Sequence, residues 1–462
     1  MLFKNAIILI SFILYITSIF SLSIPFYSNK NLNNATTILE ILDFFRNNEI
    51  YSYIEIGEPS QALPFIITSY DSSSTIKQTE CPISSSFDIN YSQTVQKLYD
   101  ERDYRYYSIK DFISFDNINK NILMNLIYYN QTDENDKRCG FFGIQYLEKD
   151  QRNDTNNLII QLKNLSLINK AIIYFNYTEN NSGFLNIGVE PFEFDSYLYS
   201  KNNMKKTGID PILDYEIKTD TRGKFRWNLN ITKVFYFQNL PIESKLDPYV
   251  EVSRKKRRKV NYFQALLTPD DYLIKGPYEY QEVIEEDFFD SLISENICKR
   301  INYEGKYFFV CQKEYKSILK KEFPTIYFYS NALKYMFQLT YDDLFIEKDE
   351  HLIFAIYFDY LQIEVFTGAF LSEWYFGKVF LKKYCFSFDL DNEQLTFYKE
   401  NIIRPKINKP LEQKKENVTI KRLYQFGLIL IVIAIGVLAF ILERLAKRKN
   451  RISNTLIDYE NR

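Results

Sequence analysis

Two aspartates and two threonines stand at matching positions in the two halves of the chain, and these residue types could do chemistry. Asp71 follows Thr68 by three residues, and Asp271 follows Thr268 by three. Two carboxyl groups held close together share one proton, because both cannot ionise easily, and such a pair can activate a water molecule. Threonine hydroxyls hydrogen-bond to water but stay neutral, so they cannot act as the base.

The rest of the composition excludes several classes of site. His351 is the only histidine, so no second imidazole completes a zinc site or a nucleophile relay. The formal net charge of -2 gives no bulk attraction to nucleic acid. Five cysteines allow at most two internal disulfides and leave one thiol over. We expect no metal, no cofactor and no nucleic-acid partner.

The two ends of the chain carry targeting signals. Residues 1–23 read as a secretory signal peptide, with Lys4 before an apolar run and a small-x-small cleavage site at 21–23; an uncleaved anchor helix is the alternative. Residues 423–443 are apolar enough to form a transmembrane helix. The basic residues after 443 predict a cytoplasmic tail, 444–462, and thus a single-pass type I membrane protein.

The segment between these ends contains nine Asn-x-Ser/Thr sequons. Their position on the lumenal side agrees with a glycoprotein of the secretory pathway, at the cell surface or in an endolysosomal membrane. The predicted glycosylation sites are Asn34, Asn90, Asn130, Asn153, Asn164, Asn176, Asn180, Asn230 and Asn417.

Short runs of alternating apolar and polar residues, as in 51–56, 112–115 and 225–231, predict a mainly β protein. A few helices are expected, among them 157–169 and 282–294. We divide the lumenal part into a short N-terminal segment, 24–47, and two lobes. The N-terminal lobe spans 48–205, the C-terminal lobe 206–402, and a polar stalk, 403–422, leads to the membrane.

Landmarks in the first half resemble those of the pepsin-like aspartic peptidase family in their order and spacing. Residues 56–61, IGEPSQ, resemble the hairpin IGTPPQ that precedes the first catalytic loop. Counting seven residues on from Gln61 reaches Thr68, where the family has its first catalytic aspartate. Thirteen residues further stands Cys81, where many members carry a cysteine. Residues 140–144, GFFGI, resemble the strand that passes under this loop, and 183–188, GFLNIG, the strand that closes the first lobe.

The second half repeats the scheme. Residues 225–227, FRW, resemble the segment that opens the second lobe. Residues 265–277, ALLTPDDYLIKGP, align without a gap to the family's A-I-I-D-T-G-T-S-L-I-x-G-P, and Thr268 stands where the second aspartate belongs. Residues 374–381, WYFGKVFL, followed by 388–389, FD, resemble the family's C-terminal landmark. The resemblance covers roughly 48–400 and implies the bilobal pepsin-like fold, with a few short helices.

The resemblance also assigns roles to single residues. Tyr99 takes the place of the flap tyrosine, although a charged run, DERDYR, replaces the glycine-rich tip after it. Tyr70 and Asp270 replace the glycines that follow the two aspartates, at a steric cost if the backbone keeps a glycine-only conformation. Cys298 and Cys311 match a disulfide of the second lobe. Cys81 either pairs with Cys139 or both are free, and Cys385 is expected to be a buried thiol.

Three functions remain open at this stage. With threonine at both dyad positions, the favoured one is a non-catalytic pseudo-protease that binds a peptide or protein in its cleft. An active aspartic endopeptidase would need a displaced dyad of Asp71 and Asp271, which the fixed spacings around both loops oppose. The third is a structural or adhesive surface protein.

Overall fold

The protein is described by a computed structural model, which covers residues 21–28, 30–69, 73–77, 87–99, 106–115, 118–129, 140–145, 157–178, 182–208, 227–237, 263–359 and 373–400. Within these ranges the chain is mainly β with short helices, as the alternating sequence pattern predicts. The predicted stalk, transmembrane helix and cytoplasmic tail all lie outside the described residues. None of the helices within those ranges has the length and apolarity needed to cross a membrane.

The strands alternate with few helical segments. In the first half they are β1 (Leu22–Ser28), β2 (Ile50–Ile56), β3 (Gln61–Thr68), β4 (Ser74–Lys77), β5 (Gln96–Tyr99), β6 (Tyr106–Phe115), β7 (Ile118–Tyr129), β8 (Gly140–Gly143), β9 (Ile172–Tyr177), β10 (Gly183–Ile187) and β11 (Tyr199–Gly208). In the second half they are β12 (Asn228–Ile231), β13 (Lys233–Phe237), β14 (Phe263–Leu267), β15 (Ile274–Gly276), β16 (Cys298–Tyr303), β17 (Lys306–Gln312), β18 (Thr325–Ser330), β19 (Tyr335–Leu339), β20 (Phe345–Lys348), β21 (His351–Phe354), β22 (Ile356–Asp359), β23 (Glu373–Phe376), β24 (Cys385–Asp389) and β25 (Gln394–Glu400).

The helices are α1 (Ile38–Asn47), α2 (Leu158–Asn164), α3 (Pro191–Phe194), α4 (Tyr278–Ile284), α5 (Asp290–Ser294), α6 (Lys316–Glu322), α7 (Tyr341–Leu344) and α8 (Lys378–Lys383). A π-helical stretch, Glu285–Phe289, joins α4 to α5, and 3-10 turns occupy Leu32–Asn34 and Lys313–Tyr315. The helix expected at 157–169 therefore ends early, at Asn164, and the one expected at 282–294 begins earlier, at Tyr278.

The two halves contain the same four-stranded arrangement. In the first half β3 runs parallel to β8, β8 antiparallel to β4, and β4 parallel to β7. In the second half β14 runs parallel to β23, β23 antiparallel to β15, and β15 parallel to β22. We call these the first and second repeat units. A duplicated order with the same mixture of parallel and antiparallel pairs relates the two halves as structural repeats.

The register makes this correspondence residue by residue. Phe142 pairs with Ile67 on one side and Ser74 on the other. Phe376 likewise lies between Leu267 and Ile274. The loops that connect the paired strands, 68–73 and 268–273, therefore have equal length, and positions 200 apart are equivalent. We call them the first loop and the second loop.

Strands of both halves share one sheet, which joins the repeat units. Its order runs β11-β25-β24-β9-β10-β1-β2-β3, so β24 and β25 from the end of the described chain pair with strands of the first half. Phe388 of β24 pairs with Ile173 of β9 and packs edge-on to Trp227, with ring centroids 5.1 Å apart. The Trp227 indole donates a hydrogen bond to the Ile144 carbonyl, 2.8 Å away. One apolar core thus runs through both halves.

The segment before the first lobe is part of this fold. Strand β1 pairs with β10 and β2, so Leu22 and Ser23, which the sequence assigns to the end of the signal peptide, stand opposite Ile187 and Asn186. Helix α1 begins at a capping box in which Thr37 and Glu40 satisfy each other's backbone amides. Its apolar face packs with residues of the second half, among them Leu273 and Phe308.

The predicted boundary between the lobes, 205/206, falls within a strand. Residues of β11 on both sides of this boundary pair continuously with β25, from Met204 opposite Tyr398 to Gly208 opposite Gln394. The charged stretch that suggested the boundary extends to residue 223, and its part beyond Gly208 lies outside the described residues.

Candidate functional site

Thr68 and Thr268 occupy equivalent points of the two repeat units, at the start of each loop. Both are buried, with 8% and 3% of their surface exposed. The Thr68 carbonyl accepts a hydrogen bond from the Ile144 amide (2.9 Å), and the Thr268 amide donates to the Phe376 carbonyl (3.1 Å). Each threonine is therefore fixed by the parallel strand beside it.

The Thr268 side chain brings no charge to this position. Its hydroxyl oxygen is buried and has no hydrogen-bond partner among the described residues. An unsatisfied buried hydroxyl has an energetic cost of roughly 1–3 kcal/mol. A ligand or water that reached this hydroxyl would recover that energy.

The two loops meet through Ser69 and Asp270. The Ser69 amide donates to Oδ2 of Asp270 at 3.1 Å, and the Ser69 hydroxyl donates to Oδ1 at 2.5 Å. The residue equivalent to Ser69 in the second loop is Pro269, which has no amide hydrogen to offer. The contact between the loops is therefore asymmetric, and a carboxyl group of the second loop binds the first.

Burial and a like charge both act on this carboxyl. Removal from water, together with the neighbouring Asp271 carboxylate, raises the pKa of Asp270 from 3.8 to about 7, although the two Ser69 hydrogen bonds oppose the shift. Near neutral pH the Asp270 carboxyl is consequently divided between its charged and neutral forms. An ordinary aspartate is fully charged at that pH.

The second loop is braced from β9 and α8. The Tyr177 hydroxyl donates to the Pro269 carbonyl at 3.0 Å, and the Lys378 amide donates to the Asp271 carbonyl at 2.8 Å. Burial, with smaller contributions from Asp270 and Asp271, raises the pKa of Tyr177 well above its usual value, so its hydroxyl stays a neutral donor.

The Lys378 side chain is buried between aromatic rings. Its ammonium nitrogen lies 5.0 Å from the centroid of Tyr272 and 5.8 Å from that of Tyr177. Burial lowers the pKa of Lys378 from 10.5 to about 7, and Lys382 adds to this effect. Tyr272 also packs against α1. Its ring centroid lies 5.4 Å from that of Phe44 and 5.0 Å from that of Phe45.

Gly377 explains why the strand behind the second loop can approach so closely. A Cβ at this position would lie 2.3 Å from the Leu273 carbonyl oxygen and 2.6 Å from that of Asp271. Gly143, which pairs with Thr68, occupies the equivalent place in the first repeat unit. In the second repeat unit, therefore, close packing of the backbone requires glycine at position 377.

The proposed displaced dyad is only half described. Asp271 is partly buried, and its amide donates to the Thr268 carbonyl at 3.0 Å. Asp71 lies outside the described residues. Asp270, one residue before Asp271, places its carboxyl against Ser69 of the first loop.

Asp270 was missed because sequence reasoning treated it as the replacement of a glycine with a steric penalty. Asp270 does not have the positive φ seen at Ser166, Asn296 and four other non-glycine residues of the described chain. Without a left-handed backbone the aspartate carries no such strain, and its side chain is free to bond across the loops. The sequence contained one signal of this contact. Pro269 has no amide hydrogen, so the second loop cannot repeat the hydrogen bond that the Ser69 amide makes.

Tyr99, the predicted flap residue, ends strand β5 opposite Ser108 of β6. The charged tip that follows lies outside the described residues. Below this hairpin Asp111 is fully buried and accepts hydrogen bonds from the hydroxyls of Ser92 (2.8 Å) and Thr94 (2.5 Å). Asp111 anchors a loop and takes no part in the contact between the two repeat units.

The predicted disulfide is confirmed. Cys298 and Cys311 face each other across β16 and β17 and are bonded. Cys385 is a buried free thiol in β24, as expected, and burial raises its pKa to about 12. Cys81 and Cys139 lie outside the described residues.

The predicted sequons differ in exposure. Asn34, Asn90, Asn164 and Asn176 are exposed, whereas Asn230 in β12 is partly buried. The remaining predicted acceptors, Asn130, Asn153, Asn180 and Asn417, lie outside the described residues.

The described ranges hold no cluster of side chains suited to metal binding. They contain no group of three histidine, cysteine or acidic side chains that could hold a metal ion. His351 is partly buried at the start of β21, opposite Lys348 and Gln312. Comparison with known sequences finds no match, either among protein-family models or among curated proteins.

Proposed function

We propose that this protein is a catalytically inactive member of the pepsin-like aspartic peptidase family, which binds a peptide or protein between its two lobes without cutting it. The observation that carries the proposal is the equivalence of Thr68 and Thr268. Both begin loops of equal length, beside parallel strands of the same register. A matched pair of uncharged hydroxyls thus stands where the resemblance expects a pair of carboxyls.

The duplicated strand order supports the family assignment. The resemblance expects the 140–144 segment to pass beneath the first loop, and β8 runs beside β3 up to the pair Thr68 and Gly143. It expects the 374–377 segment to do the same in the second half, and β23 runs beside β14. Two landmarks inferred independently from short motifs therefore fall at equivalent places.

Peptide hydrolysis by an aspartic peptidase needs a charged base at the floor of the cleft between the lobes. A carboxylate must take a proton from water while a second carboxyl polarises the peptide carbonyl. Neutral threonine hydroxyls cannot take that proton, and loss of both carboxyls removes groups on which an acceleration of typically 10⁶-fold or more depends. We therefore expect binding without turnover.

Active proteolysis is the second candidate, and one observation favours it. Asp270 places a carboxyl with a pKa of about 7 at the contact between the two loops. A single carboxyl in this range is suited to general acid–base chemistry. A complete dyad would still need a partner, and Asp71, Asp271 or both would have to supply it.

The cellular setting forms part of the proposal. A signal peptide, lumenal sequons and the apolar segment 423–443 make the protein a single-pass type I glycoprotein of the secretory pathway, at the cell surface or in an endolysosomal membrane. The cleft then faces the lumen or the exterior, where extended peptides and unfolded proteins are the available ligands.

A binding experiment tests the proposal. The full-length protein in detergent is incubated with a mixed peptide library from about pH 4 to about pH 7, the range in which paired carboxyls titrate. Retained peptides are then identified by mass spectrometry. We expect capture of intact peptides.

Thr68→Asp together with Thr268→Asp is the matched variant, because it restores carboxyls to both positions. Intact capture by the natural protein supports the proposal, and cutting by the variant alone supports it further, whereas cut peptides from the natural protein support the second candidate. Absence of capture, with self-association of the protein instead, would point to a structural or adhesive role and overturn the proposal.

A further inference from the structure

We propose that Ser69 and Asp270 form an acid-stabilised latch, which ties the two loops together when the carboxyl is protonated and loosens when it is ionised. The contact lies between the two repeat units, and it uses both carboxyl oxygens and both donors of Ser69. As regulation of the cleft it rests on the proposed function, but the latch itself requires no ligand.

The hydrogen bonds of the latch survive protonation. In the charged form both Asp270 oxygens accept, one from the Ser69 amide and one from its hydroxyl. In the neutral form the carboxyl O–H can donate to the Ser69 oxygen, while the amide still donates to the other carboxyl oxygen. Protonation therefore removes a poorly solvated charge without breaking the contact.

The described titratable groups around the Asp270 loop come from the loop itself, from β9 and from α8. Within its own loop Asp271 adds a second negative charge. From β9, Tyr177 presents a neutral hydroxyl to the neighbouring Pro269 carbonyl. From α8, the Lys378 ammonium is held against the rings of Tyr177 and Tyr272. From the first loop the described contact is Ser69, which is uncharged.

Opening of the latch returns Asp270 to water, where its pKa is near 3.8, whereas the closed latch holds the pKa at about 7. Between these values the open state releases a proton that the closed state keeps. Each pH unit in this interval shifts the equilibrium up to tenfold toward opening, and above about 7 the shift levels off. The latch is thus closed in an acidified compartment and weakest at neutral pH.

Amide exchange of Ser69 reports on the latch directly, because that amide is one of its two donors. The full-length protein in detergent is exchanged from about pH 4.5 to about pH 8, across the interval of the linkage. Rates are divided by the intrinsic chemical rates and resolved by fragmentation mass spectrometry. We expect the protection of Ser69 to fall by up to tenfold per pH unit and to level off near pH 7.

Asp270→Asn mimics the neutral acid and should keep Ser69 protected at all these pH values. Asp271→Asn, the matched control, should retain the fall but level off at a lower pH, because the like charge is gone. If Asp270→Asn does not fold, Ser69→Ala serves instead: its amide remains, and the fall should extend to higher pH since one donor to the charged form is lost.

Two results would overturn the latch. One is constant protection of Ser69 in the natural protein over the whole range. The other is a pH profile in Asp270→Asn that matches the natural protein. Neither result depends on peptide capture, so failure of the latch is distinguishable from failure of the proposed function.

Discussion

Ser69 and Asp270 stand 201 positions apart in the sequence, and the Ser69 hydroxyl lies 2.5 Å from the Asp270 carboxyl. This contact joins the first loop to the second, one residue after Thr68 and two residues after Thr268. It places the carboxyl group of Asp270 at the contact between the two loops.

Replacing Asp270 with asparagine should remove a pH dependence of global stability. The folded pKa, about 7, lies above the ordinary value of 3.8, so the stabilising contribution is complete below 3.8 and is lost as pH rises to about 7. The unfolding free energy of the natural protein should therefore fall by up to about 1.4 kcal/mol per pH unit relative to Asp270→Asn. Because Asp270 is only partly buried, solvent screening narrows the pH interval over which this slope applies. Urea unfolding at several pH values measures it, and parallel curves for the two proteins would contradict the prediction.

Replacing Lys378 with methionine should stabilise the protein most at neutral and acidic pH. The folded pKa of Lys378, about 7, lies below 10.5, so its contribution is complete above 10.5 and is lost as pH falls through about 7. Relative to the natural protein, Lys378→Met should gain about 1.4 kcal/mol per pH unit over this interval and no more below it. Thermal unfolding at several pH values from about 6 to about 10, which spans most of the interval between the two pKa values, checks the trend.

Lys382, an exposed lysine of the same helix, provides the control for that experiment. Lys382→Met should shift the pH profile only slightly, because it removes a neighbouring charge that adds to the lowered pKa of Lys378 but leaves the burial of Lys378, the larger cause, unchanged. A profile of Lys378→Met that resembles the Lys382→Met profile would show that burial of Lys378 has no energetic effect.

Removing the disulfide should destabilise the second half. The bond closes a loop with a sequence separation of 13 residues, and loss of such a constraint costs about 3 kcal/mol in the chain-entropy model. We expect the double variant Cys298→Ala, Cys311→Ala to lose about this amount in urea unfolding, and reducing agent to destabilise it less than it destabilises the natural protein. Cys385→Ala, which leaves the bond intact, should remain sensitive to reducing agent. Equal sensitivity of the natural protein and the double variant would refute the assignment.

The exposed sequons should carry glycans and the partly buried one should not. Asn34, Asn90, Asn164 and Asn176 are open to solvent, whereas Asn230 lies within β12 and pairs with Gln264. A glycan at Asn230 would have to leave a strand that packs on the core. Glycopeptide mass spectrometry of protein from eukaryotic cells gives the occupancy, and high occupancy at Asn230 would be inconsistent with this fold.

The sequence predicts much of the scaffold because local patterns dictate it. Strand β2 buries alternate residues, as the period of two requires, and the disulfide follows from landmarks near one another in the chain. The equal length of the two loops also follows from sequence, since it depends only on counting residues between recognisable strands.

The contact between the loops could not be predicted in this way. Ser69 and Asp270 meet only because two repeat units pack around a shared sheet, and no local pattern reports such a distance. The backbone at Asp270 likewise depends on the strand behind it, where Gly377 permits the close approach. The role of α1 behind Tyr272 is tertiary for the same reason, because it joins Phe45 to a residue over 200 positions away.

Cleavage of an unfolded protein tests the central claim most directly. Purified full-length protein is incubated with a denatured substrate from about pH 3 to about pH 7, with and without a statine-type inhibitor, and products are read by mass spectrometry. If two threonines have replaced the carboxyl pair, no inhibitor-sensitive cleavage occurs at any pH. Inhibitor-sensitive cleavage that is abolished by Asp71→Asn or Asp271→Asn would contradict the account.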